Sequence, residues 1–124
     1  MEIVMWVATG ILAAAFLSAG LFKLSQPKER LASSGMGWVE DFHPAAVKLI
    51  AAAEVAGAIG LVVPPLVHIA PVLSPIAAAC LAVTMAGAAL IHLRRREFRG
   101  LIPALVLMFL AIFVAVGRFA IVPF

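Results

Sequence analysis

The sequence predicts an all-α integral membrane protein, a four-helix bundle with both termini on the outer side. Three observations lead there. Of 124 residues, 65% are hydrophobic and 12% charged, and the mean hydropathy of +1.19 lies far outside the makeup of soluble domains. Four apolar stretches each reach the ~20 residues that an α-helix needs to cross ~30 Å of hydrocarbon. The Lys and Arg residues gather in two of the three connections between those stretches.

The first helix is expected over residues 3–22, ending at Lys23. It has no positive leading region, and its apolar run is too long for a signal peptide, so it reads as a retained span. The second is expected over 44–63, opened by Pro44 and closed by Pro64 and Pro65; Glu40 and Asp41 precede it, where the helix dipole favours negative charge. The third is expected over 71–92 with Pro71 in its first turn, and the fourth over 101–119. Lys23, His92 and Arg94 fall at C-terminal ends, where cations are favoured. These spans leave no segment for a soluble domain, so residues 1–124 form a single membrane domain.

Connection 23–43 carries Lys23, Lys28 and Arg30, connection 93–100 carries Arg94, Arg95, Arg96 and Arg99, and the loop PPLVHIAP carries no Lys or Arg. By the positive-inside rule the two basic connections are expected to be cytoplasmic, so the chain reads as multi-pass with both termini and the PPLVHIAP loop outside. Arg118 opposes this balance and is assigned to snorkelling at the outer end of the last helix. Trp38 and Phe42, in the longer connection, are the expected interfacial anchors.

Membrane helices associate where small residues spaced four apart let backbones approach. Gly10, Ala14 and Ser18 form one such row, Ala52, Ala56 and Gly60 with Ala53 and Gly57 a second, and Ala78, Ala82 and Ala86 a third. The first three helices are therefore expected to pack tightly, with the Leu- and Phe-rich fourth facing lipid or a partner.

One carboxylate, Glu54, stands inside the apolar run IAAAEVAGAIGL. An ionised group in hydrocarbon costs at least ~2.5–3.5 kcal/mol, so Glu54 must be paired, protonated or turned to a wet cavity. Ile50, Ala51, Gly57, Ala58 and Leu61 share its face. Counted from Pro44 it lies ~15 Å deep; if the helix begins near Lys48 the depth falls to about 9 Å and Lys23 comes within reach. His92 is the other candidate neighbour, with a titration range suited to a proton relay. Two readings of Glu54 stand side by side: a structural carboxyl that fixes helix register, and a group that transfers a proton or binds a polar head. Lys48 is turned about 120° from the Glu54 face and, with Arg94, Arg95 and Arg96, is assigned to lipid headgroups.

A single cysteine, Cys80, excludes an intrachain disulfide and a CxxC pair. The sequence has no HExxH, no HxxxH, no Gly-rich phosphate loop and no Ser-His-Asp set, and its three histidines are scattered along the chain. No catalytic residue and no metal ligand is assigned, and the chain is not expected to be catalytic on its own. The excess of nine Lys/Arg over six Asp/Glu suits a lipid surface rather than nucleic acid.

AGLFKL at the end of the first helix, AAAEVAGAIGLVVP in the second and HLRRREF after the third resemble the DoxX-like family of small bacterial membrane proteins. The resemblance implies a four-helix inner-membrane protein and singles out Lys23, Glu54 and His92. DoxX-named relatives are associated with membrane oxidoreductase systems, including thiosulfate:quinone oxidoreductases. That implies an accessory or anchor subunit, with other membrane subunits or a second copy as partners and a non-covalently held quinone as the cofactor. The alternatives are a stand-alone binder or carrier of a lipophilic molecule, and a structural module that oligomerises.

Overall fold

A computed structural model describes residues 2–33 and 42–121. Among them the chain is helical throughout its long elements, with no strand. Helix α1 spans Glu2–Ser25, α2 Lys28–Ser33, α3 Pro44–Leu66, α4 Leu73–Arg94 and α5 Phe98–Val116, and a π-helical turn, Gly117–Ile121, continues α5. α1, α3, α4 and α5 with its π-helical continuation are each long and apolar enough to cross a membrane. Glu40, Asp41 and Trp38 lie outside the described residues; the N-cap of α3 is His43, whose Nδ1 accepts from the Ala45 N–H at 3.1 Å.

α3 does not stop at Pro64 and Pro65 but runs through both to Leu66. Proline at 65 withholds the N–H that would bond the Leu61 carbonyl one turn back. Ser74 Oγ donates to that carbonyl at 2.7 Å instead, so the helix passes the proline with the carbonyl satisfied. α4 begins at Leu73 rather than Pro71. The connection after α1 contains α2, unforeseen from sequence, which buries Leu31 completely against Val47 of α3.

The four long helices form a ring in which α1 packs on α3, α3 on α4 and α4 on α5, the last contact being the most extensive. This corrects the expectation for the fourth helix. α5 buries Ala104, Ala111, Val114 and Ala115, a small-residue seam whose spacing of seven then four conceals it from a search for rows four apart. The Gly10, Ala14 and Ser18 row faces outward, as do Ala52, Ala53, Ala56 and Ala86; the packing faces carry Leu12, Phe16 and Gly20 on α1, Ala51 and Ala58 on α3, and Ala78 and Ala82 on α4.

The contacts divide the ring into two helix pairs. α1 and α3 close on each other toward the end that carries the basic connections: a Cβ at Gly20 would lie 2.6 Å from Val55 Cγ2 and 2.9 Å from the Ala51 carbonyl oxygen. α4 and α5 close there too, with the His92 ring packed on Gly100. The two pairs join each other at the opposite end, which carries the termini, and Ile91 of α4 also packs on the Leu31–Val47 cluster at the basic end. At the termini end Gly57 abuts Leu81, Gly60 abuts Ala77, and Met5 abuts Gly117.

The same termini end holds a polar clamp. Arg118, 2% exposed, forks onto the Glu2 carboxylate at 3.0 and 2.9 Å and lies 5.6 Å from the centre of the Trp6 ring. It is therefore an interior group rather than a snorkelling one. Its position explains this: Arg118 falls seven residues after Ala111 and four after Val114, on the buried stripe of α5.

Candidate functional site

Of the buried charged residues, Glu54 is 1% exposed and Lys23 8%, and they meet as an ion pair of 2.6 Å between Lys23 Nζ and Glu54 Oε1. Three features of the chain bring them together. Gly20, one turn before Lys23, lets α1 lie against α3. Ala51 and Ala58 keep the Glu54 face of α3 narrow. Lys48 Nζ then donates to the carbonyls of Lys23, Leu24 and Gln26, capping the end of α1.

Lys48, expected at lipid headgroups, is only half-buried and caps the end of a neighbouring helix. Its angle on α3 turns it from Glu54, but its long stem spans to the neighbouring helix end. That contact also shows that the first turn of α3 overhangs the end of α1. The depth counted from Pro44 therefore overstates how far Glu54 is from the basic end, and an early helix start is compatible with pairing to Lys23. Substituting Lys48→Met leaves three carbonyls without their charged donor and is expected to lower stability by about 2 kcal/mol. The SDS-titrated unfolding midpoint in mixed micelles reads this, and a loss under about 0.5 kcal/mol would mean that solvent or headgroups serve those carbonyls equally well.

Lys23 and Glu54 form part of the wall of a partly open cavity of about 460 Å³ lined by all four long helices. α1 contributes Phe16, Ala19 and Lys23; α3 contributes Ile50 and Glu54; α4 contributes a strip from Val83 to His92; α5 contributes Gly100, Pro103, Ala104 and Leu107. The volume falls in the ~300–1,000 Å³ range of small-molecule sites, which pair apolar walls with a few placed polar groups. At the basic end Phe42, Ile50 and Ile91 line the cavity and pack on the buried Leu31–Val47 cluster.

His92 lies on the same wall, so the structure brings all three of Lys23, Glu54 and His92 to one cavity. His92 Nδ1 is 3.3 Å from Glu97 Oε1, and Glu97 Oε2 in turn is 3.3 Å from Arg95 Nε. A Cβ at Gly100 would lie 2.5 Å from the imidazole, so only glycine leaves the ring its place. Glu97 escaped the sequence reading; the signal was a lone acid inside the basic run HLRRREF. Arg94 and Arg96 are exposed at the basic end, whereas Arg95 is half-buried against Glu97. Thr84, also on the cavity wall, bonds back to the Cys80 carbonyl at 2.9 Å, which satisfies its hydroxyl within the helix.

Four apolar spanning helices around a charged pair and an amphipathic cavity define a small multi-pass membrane protein. The chain belongs to the DoxX-like family, whose model matches residues 7–114. Comparison with curated proteins and with solved structures gives no match.

Proposed function

We propose that this protein binds a membrane-dissolved lipophilic molecule through a polar head held at Lys23, Glu54 and His92. The observation that carries the reading is the convergence of these three residues on one apolar cavity. A carboxylate, an ammonium and an imidazole supply both donors and acceptors, while Phe16, Met85 and Leu107 offer surface to a hydrocarbon tail. The Lys23 ammonium has the Glu54 carboxylate beside it and the His92 ring has Glu97, so an uncharged, hydrogen-bonding head suits the wall better than an anionic one.

A quinone meets those requirements, its carbonyls accepting from Lys23 or His92, and when bound it would supply two-electron redox chemistry to a partner enzyme. The resemblance to DoxX-named relatives supports the accompanying role, an accessory subunit of a membrane oxidoreductase. The basic connections support a cytoplasmic location for the polar end of the cavity.

The test is equilibrium binding of a decyl-substituted benzoquinone to the protein in nanodiscs. Wild type is expected to bind saturably, and Lys23→Met/Glu54→Leu, which removes both charges together, is expected to weaken binding by at least about tenfold, or ~1.4 kcal/mol. Uptake no greater than in empty nanodiscs, or a double variant that binds like wild type, would sink the reading. Mild-detergent co-purification addresses the subunit role separately: a pull-down with no redox enzyme would remove that role and leave the binding claim standing.

A further inference from the structure

We infer that the cavity is loaded sideways from the hydrocarbon phase, through a portal between α3 and the adjoining flank of α4, an inference that rests on the lipophile-binding reading. α3 and α4 touch in a regular antiparallel register near the termini end, where Gly57 meets Leu81, Gly60 meets Ala77 and Leu61 meets Ser74. Carried toward the basic end, that register sets Glu54 opposite Thr84 and Ile50 opposite Ala88. At these positions the four residues line the cavity instead.

On the wheel of α4, Thr84, Gly87 and Val83 follow one another around the flank beside Leu81 and Ala77, moving from α3 toward the outside. The cavity wall follows the same path out of the bundle. Val83 lines the cavity and is nevertheless 74% exposed; Gly87 lines it too, and a Cβ there would meet nothing within 4 Å. The flank opens at the level of an apolar span, so what lies outside it is lipid rather than water.

The ends of the cavity differ from this side. Toward the termini the two helix pairs are joined at Gly57, Gly60 and Gly117. Toward the basic end, among the described residues, Phe42 and Ile91 form an apolar floor on Leu31 and Val47. A molecule with a long hydrocarbon tail crosses such a floor at the cost of wetting its tail, whereas the lateral path keeps the tail in lipid throughout. The occupant is accordingly a molecule already partitioned into the bilayer.

Photolabelling of the full chain in liposomes with a small bilayer-dissolved aryl diazirine tests the portal without needing the natural ligand. Phe16 and Met85, 1% and 7% exposed, are shielded from surrounding lipid but line the cavity. In wild type they are expected to acquire adducts alongside the lipid-facing Ile3 and Phe109. Gly87→Phe and Thr84→Phe, made separately, are expected to cut labelling at Phe16 and Met85 at least fivefold while leaving Ile3 and Phe109 unchanged. Unlabelled Phe16 and Met85 in wild type, or labelling at wild-type level in both variants, overturns the portal. Intact, portal-sensitive labelling with no quinone binding would instead discard the ligand proposed above and keep the route.

Discussion

Glu54→Ala destabilises the bundle by about 3–5 kcal/mol, the cost of leaving a buried cation without its partner. Lys23 keeps its ammonium in a site where its side chain is 10% exposed, and the carboxylate 2.6 Å away is removed. α1 must then move to bring the ammonium to headgroups or water, which opens the contact between Gly20 and α3. Lys23→Met/Glu54→Leu is expected to recover most of that loss, because two apolar side chains of similar volume carry no desolvation penalty. SDS-titrated unfolding of the three proteins in mixed micelles provides the check. A single variant costing less than about 1 kcal/mol would show that the pair is solvated and that the cavity is wet around Lys23. A double variant as unstable as the single one would locate the cost in packing volume rather than charge.

The charged centre was legible in the sequence because its background is apolar. Against alanine, glycine and leucine a single carboxylate stands out, and the helix ends place Lys23 and His92 on the same side of the membrane as each other. What the spacing could not convey was overhang. Residues counted from Pro44 measure distance along α3, and the capping of α1 by Lys48 shows that α3 starts beyond the end of its neighbour. The small-residue rows misled for a related reason: alanine is as comfortable in lipid as in a seam, so Gly10, Ala14 and Ser18 can be spaced for packing and still face outward. The partner of Arg118 was hidden differently, since Glu2 is 116 positions away and nothing local announces it.

Gly20 is the residue on which the position of the ion pair depends, and Gly20→Val is expected to separate α1 from α3 at a cost of about 3 kcal/mol. A Cβ there would lie 2.6 Å from Val55 Cγ2, which a rotamer change can relieve, but also 2.9 Å from the Ala51 carbonyl oxygen and 3.2 Å from the Val55 nitrogen. Those two atoms belong to helix backbone and move only if α3 moves. Overpacking of this kind typically costs about 1–3 kcal/mol, and here the displacement also stretches the pair. Lys23 lies three residues after Gly20, on the same stripe of α1, so whatever pushes the helix away at Gly20 pulls the ammonium from Glu54. Gly20→Ala is the smaller step, expected at about 1–2 kcal/mol, and it allows a cycle. Introduced into Lys23→Met/Glu54→Leu, the same alanine should cost less than in wild type, with a coupling of at least about 0.5 kcal/mol. Strict additivity would mean that the close approach of the two helices and the buried pair are independent features of the fold. Coupling would mean that the glycine is retained for the geometry of the charge pair, and binding of the quinone probe should then fall in Gly20→Ala even where the protein remains folded.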